Sequence, residues 1–251
     1  MRSPAVHRSV TGKRRVVAIT ERDAAVLKWL ADVQIASTDT MHNAYTYFGL
    51  TPITKKRCSA RLVELVAGGY LGVAGLRRGN NRRVYWPAHE PYPIARRDLA
   101  HDLIVADMSV MLLKARGEEF LHYNRNRPAA MTAEPRQWTR DAPIDKQSHL
   151  GDGMIWLPDD TSVIVEIELT NKSPQKLAKV LDSHASRIAS SDEAATHILY
   201  LTTHRVGQVV AATWAKQGHA ADHPDRMQVI HVIDDTTLGP IDNARTIPIP
   251  T

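Results

Sequence analysis

Apolar positions recur at helical spacing three times in the first third of the chain. Ala24, Leu27, Trp29, Leu30 and Val33 form one stripe, and it starts behind Thr20-Glu21-Arg22-Asp23. A Thr followed three residues later by an acid can satisfy the free N–H groups of a helix start reciprocally. Ser37-Thr38-Asp39 opens a second, shorter helix with Met41, Ala44, Tyr45 and Phe48 at the same spacing, closed by Gly49. Thr51-Pro52 predicts the start of a third, with Pro in the first turn. Its buried stripe is Cys58, Leu62, Leu65 and Val66, and Gly68-Gly69 end it. The pattern then changes period. Residues 70–74 and 82–86 read as two strands around LRRGNN, where Gly79-Asn80-Asn81 tolerates the positive φ of a tight hairpin. Tyr45, Tyr47, Phe48 and Cys58 are expected in the core.

Beyond residue 93 the pattern alternates helix and strand. A long helix is predicted over 98–116, with Leu99, Leu103, Ala106, Val110 and Leu113 on one face, and a short strand over 118–123. A polar connection of Pro and Arg residues follows over 124–150, a length that points to a functional or disordered loop. Strands are predicted at 154–157, 162–169, 197–201 and 227–233. One helix begins at Ser173-Pro174 with Leu177, Val180, Leu181, His184 and Ile188 inside, and another lies near 207–216. The order α-β-β-β-α-β, with an appended α-β, is that of an α/β sheet core. The expected organisation is a basic arm over 1–18, a winged helix-turn-helix over 19–93 and a mixed-sheet domain over 94–251, which makes the whole chain α/β in the broad α+β sense.

Charge separates these parts. Residues 1–83 hold 15 Lys+Arg against 5 Asp+Glu, whereas 84–251 hold 17 against 22. Within 51–83, eight basic residues face one acid, Glu64. In a helix-turn-helix the last helix enters the major groove, and basic residues there and on the wing contact phosphate. The candidate DNA-binding residues are therefore Thr54, Lys55, Lys56, Arg57, Ser59 and Arg61 on the helix and Arg77, Arg78, Asn80, Arg82 and Arg83 on the hairpin. Double-stranded DNA is the expected partner, bound by a two-fold homodimer. The single cysteine excludes an internal disulfide and a cysteine-based zinc finger. The longest apolar run, LIVADMSVMLL, is interrupted by Asp107, and MRSPAVHRSVTGKRR lacks the apolar segment of a signal peptide, so the expected location is cytoplasmic with no membrane partner.

VIVEIEL raises a separate question. Glu166 and Glu168 lie two apart, so in a strand they share one face while Val163, Val165, Ile167 and Leu169 take the other. Clustered carboxylates repel unless a proton or cation neutralises them, and a hard cation takes oxygen ligands. The pair either lies on a solvent face or binds something. His219 and His223 have helical metal-ligand spacing, but between Gly218 and Pro224 they read as loop residues. His101 and Asp102 read first as the polar face of their helix.

The element order, with Asp152 at the start of one strand and Glu166 on the next, resembles the PD-(D/E)XK nuclease superfamily. That resemblance implies Asp152, Glu166 and Glu168 as Mg²⁺ ligands, with Mg²⁺ the one candidate cofactor. It implies a basic residue two positions after the second acid; Glu168 stands there, and Lys172 or Lys176 from the following turn would supply the cation. It also implies that His101 or Asp102 approaches the metal centre. Taken over nearly its full length, through ITERDAAVLKWLA at 19–31, LVELVAGGYL at 62–71, LAHDLIVADMSVML at 99–112 and GDGMIWLPDD at 151–160, the chain resembles the replication-relaxation family of plasmids and other mobile elements. The resemblance implies DNA association in transcriptional, replication or mobilisation control, with replication or mobilisation proteins as partners. Three roles stay open for the second domain: a nuclease-like platform for dimerisation or partner binding, a metal-dependent endonuclease in which Asp152, Glu166, Glu168 and Lys172 do the chemistry, and a protein-only adaptor in a relaxasome.

Overall fold

The computed structural model describes residues 16–49, 51–75, 83–90, 99–115, 138–139, 149–156, 161–190 and 195–236. Among them the chain is an α+β protein of seven helices and two sheets. Helix α1 (Glu21–Val33) carries the anticipated capping box. The Thr20 hydroxyl accepts from the Asp23 N–H, and the Asp23 carboxylate accepts from the Thr20 N–H at 2.8 Å. Strand β1 (Ala36–Ser37) precedes α2 (Thr38–Tyr47), whose first turn is capped by Ser37. Helix α3 (Lys55–Ala67) starts later than Thr51-Pro52 implied, because the Thr54 hydroxyl is the cap, accepting from the Arg57 N–H at 3.3 Å. Thr51 is instead fixed outside the helix, with its carbonyl accepting from Arg22 at 2.9 Å. Strands β2 (Leu71–Gly75) and β3 (Arg83–Pro87) pair antiparallel, and β1 adds to the outer edge of β3. Sequence pattern missed β1, which at two residues has no period to read.

Helix α4 (Leu99–Ala115) does not show the single apolar face expected of it. Ile104, Val105, Ala106, Met108, Val110, Leu112 and Leu113 are all buried, so the helix is covered nearly all round. Leu99 and Leu103 pack against Ile35, Val84 and Trp86 of the first sheet region. Further along, α4 joins one continuous core containing Trp29, Met41 and Tyr45 on one side and Val163, Val165 and Ile167 on the other. Two polar contacts lock it to the N-terminal helices: Trp29 Nε1 donates to Ser109 Oγ at 3.0 Å, and the Thr40 hydroxyl donates to the Asp107 carboxylate.

The second sheet has the order β4-β5-β6-β7-β8, formed by β4 (Trp138–Thr139), β5 (Gly153–Trp156), β6 (Ser162–Glu168), β7 (Ala195–Thr203) and β8 (Met227–Ile233). The pairs β4-β5 and β5-β6 are antiparallel, whereas β6-β7 and β7-β8 are parallel. The strand expected over 118–123 lies outside the described residues; the edge strand seen, β4, comes from the connection expected to be irregular. Trp138 lies against Gly153, and a Cβ there would collide with the indole. Helices α5 (Pro174–Ala189) and α6 (His204–Lys216) cover the face opposite α4, packing Leu177, Leu181, Val206, Val210 and Trp214 on Ile198 and Tyr200. Residues 219–223 are not the expected loop. His219–Asp222 form a one-turn helix, α7, entered through Gly218 at φ 86°.

Candidate functional site

Two groups of residues carry chemistry. On α3, Cys58, Leu62 and Leu65 are buried, while Lys55, Lys56, Arg57 and Ser59 are exposed. Lys56 and Arg57 make no ion pair among the described residues, and Lys55 pairs with Asp39 at 3.1 Å across open solvent. Arg83 is exposed at the start of β3, its carbonyl accepting from Thr38 at 3.3 Å. Arg77, Arg78, Asn80 and Arg82 lie outside the described residues.

Arg61 and Thr54 are occupied within the protein. Arg61 donates to both oxygens of Asp23, at 3.0 and 2.6 Å, and to Glu64 at 2.6 Å. Asp23 is only 1% exposed and also accepts from the Tyr45 hydroxyl at 2.8 Å. Burial works to raise the Asp23 carboxyl, but Arg61, Thr20 and Tyr45 outweigh it and hold the group well below the usual carboxylate range. Arg61 is held correspondingly high by Asp23. This pair therefore joins α1 to α3, so Arg61 is not free to serve as a plain surface contact, whereas Thr54 caps α3 with its hydroxyl oxygen and stays exposed. Cys58 is an inert core thiol, pushed up to about 11 by burial.

The second group answers the question of Glu166 and Glu168. They do not face solvent: β6 is the central strand of its sheet, all seven of its residues are buried, and Glu166 and Glu168 point to the side covered by α5. Glu166 and Glu168 share Lys172, and their other neighbours differ. Glu166 Oε1 lies 2.9 Å from His149 Nε2, 3.8 Å from Lys172 Nζ and 3.9 Å from His184 Nε2. Glu168 pairs with Lys172, the residue expected to supply the missing cation; Lys176 sits exposed in the first turn of α5. Asp152 accepts from the Ile167 N–H at 2.7 Å and lies 3.5 Å from His101 Nε2. His101 thus does reach Asp152 from α4, and the same nitrogen lies 2.9 Å from the Ile167 carbonyl.

These surroundings pull the acids apart electrostatically. Burial acts to raise Glu166, but the hydrogen bond from His149, together with the nearness of His184 and Lys172, brings its carboxyl down to about 2. Asp152 is raised, chiefly by burial and also by the charge on Glu166, with His101 opposing. His101 is raised to about 10 by Asp102 and Asp152, against its own burial.

Mg²⁺ is the cation that the resemblance implies, and the arrangement does not suit it. That ion demands near-octahedral oxygen ligation at about 2.0–2.1 Å. Among the described residues, the one group of three whose ligand atoms all lie within 4.8 Å of one another is His149, Glu166 and His184, with two nitrogen donors. Asp152 and Glu168 are engaged elsewhere. His149 falls within a connection whose sequence shows only polarity, and His184 lies within the apolar stripe of α5. Its polarity at that core position is the available signal. The His219 and His223 rings lie 6.5 Å apart, and His219 is taken up by Asp182 at 2.8 Å.

No family model, no curated protein and no solved structure matches the chain. Among the described residues, no helix is long and apolar enough to cross a membrane.

Proposed function

We propose that the chain is a double-stranded-DNA-binding protein of a mobile element, acting in transcriptional or replication and mobilisation control. In this reading α1 to α3 with the β2–β3 hairpin work as a winged helix, and the five-stranded part is a PD-(D/E)XK-like platform for dimerisation or partner binding. The observation that carries it is the outward face of α3. Lys55, Lys56, Arg57 and Ser59 project to solvent from the first turns of a helix whose other side is core. A basic first turn opposes the helix dipole, which favours acids at that end, and an external anion bound there would relieve that opposition.

The test is DNA binding by fluorescence anisotropy across salt concentrations. K56A/R57A should weaken binding and reduce the salt slope by about 0.9 for each phosphate that the variant no longer neutralises. An unchanged affinity and slope in this variant, with melting temperature preserved, would remove the assignment. The platform role is favoured over Mg²⁺-dependent cleavage because Asp152 is turned onto the Ile167 N–H and His101, while Glu166 is engaged by His149 and Glu168 by Lys172. Cleavage of plasmid DNA by wild type but not by D152N would reverse that preference.

A further inference from the structure

We propose that His149, Glu166 and His184 form a binding site for a divalent transition-metal ion of the Zn²⁺ class, held between β6 and α5 with a coordination position left for water. The site goes beyond the DNA-binding role and does not depend on it.

Four features of the site converge. The donor atoms are spaced for a small ion: Glu166 Oε1 is 2.9 Å from His149 Nε2 and 3.9 Å from His184 Nε2. Ligands about 2.0–2.1 Å from a tetrahedral Zn²⁺ stand about 3.3 Å from one another, so small side-chain shifts suffice. His184 has no exposed surface, and neither of its ring nitrogens has a hydrogen-bond partner. A buried imidazole without a hydrogen-bond partner is costly, and a metal on Nε2 would satisfy that nitrogen. The third feature is the fixing of His149. Its N–H donates to Ser183 Oγ at 2.8 Å and its carbonyl accepts from Arg187 at 3.3 Å, so the residues flanking His184 on α5 hold His149 in register with it. These contacts fix the backbone of His149 beside His184, which limits how far its ring can move from Glu166. Finally, Tyr200 lies directly opposite Glu166 on β7, fully buried, with its hydroxyl unpartnered. A hydroxyl so placed suits a metal-bound water, which three protein ligands leave room for.

The donor set also selects the ion. Two imidazoles and one carboxylate suit Zn²⁺, Co²⁺ or Ni²⁺ rather than Mg²⁺, which takes oxygen. Lys172 does not compete decisively for Glu166. It stands 3.8 Å from that carboxylate but pairs more closely with Glu168.

The experiment is a Zn²⁺ titration of the full chain, stripped with chelator and dialysed, against a chromophoric chelator, with Mg²⁺ in parallel and no DNA present. Wild type should take up one equivalent of Zn²⁺ and gain about 5–10 °C in melting temperature at a hundredfold excess over the dissociation constant. Mg²⁺ should do neither. H149A should weaken Zn²⁺ binding by more than the about 10–100-fold expected for loss of an outer partner, and H184N likewise, while H219A/H223A should leave it intact. Stoichiometric uptake absent in wild type, retained in H149A, or abolished in H219A/H223A overturns the site. Because H184N removes a core side chain, ¹⁵N spectra of the wild-type imidazoles provide a second readout. Zn²⁺-induced shifts at His149 and His184 support the site, and shifts confined to other histidines overturn it. Since no step involves DNA, failure of the α3 variants and failure of the metal titration are separate results.

Discussion

Arg61 reaches from α3 to the first turn of α1, where its guanidinium meets both oxygens of a carboxylate that is 1% exposed. Removing Arg61 leaves the Asp23 charge buried with only Thr20 and Tyr45 donating to it, so R61A is expected to cost at most about 3–5 kcal/mol by urea unfolding at pH 7. The pH dependence follows from the direction of the Asp23 shift. Its carboxyl is held below its ordinary value, near 3.9 in an unfolded chain, so its contribution is fully present above that value and is lost as pH falls below it. The stability gap between wild type and D23N should therefore narrow between about pH 5 and pH 2. Cys58 supplies a third residue-level expectation. Buried and with its thiol pushed up to about 11, it should react with a thiol reagent only at the rate of unfolding, and labelling faster than the measured unfolding rate would contradict its placement.

At the scale of the element, α3 and β6 show how one segment combines structural and functional demands. Helix α3 buries Cys58, Leu62 and Leu65, ties itself to α1 through Arg61, and presents Lys55, Lys56, Arg57 and Ser59 of its first turns to solvent. Its start depends on Thr54, so T54A is expected to lower stability by about 1 kcal/mol, measured by thermal or urea unfolding, and with it to loosen the register of Lys55 to Arg57. Strand β6 is apolar on the α4 side and carries Glu166 and Glu168 on the α5 side, where His149, Lys172 and His184 meet them. The alternation that a strand imposes is the whole reason for the two-residue spacing of the acids.

At the scale of the whole molecule, α4 stands between the N-terminal helices and the five-stranded sheet and contributes to a core shared by both. Its ties to Trp29 and Thr40 mean that cutting the chain near residue 95 would expose the surfaces of α1 and α2 that α4 covers. A fragment ending at 95 is therefore expected to unfold without a cooperative transition, whereas one extended to 115 should be more stable; circular dichroism melts of the two compare them directly. The helices α1, α2, α5 and α6, the hairpin and the central strands are legible in sequence, because caps and the periods of 3.6 and 2 are local properties of a few neighbouring residues. So is the burden on Glu166 and Glu168, since two acids on one face of an apolar strand demand counterparts. Nothing local could say which counterparts. Tertiary structure decided that Arg61 serves Asp23, 38 residues away, rather than projecting with Lys56 and Arg57. It also brought His149 and His184 to Glu166 while turning Asp152 toward His101 and the backbone of Ile167. A side chain's type limits the partners it accepts, but which partner it meets is set by how strands pair and helices pack across long separations in the chain.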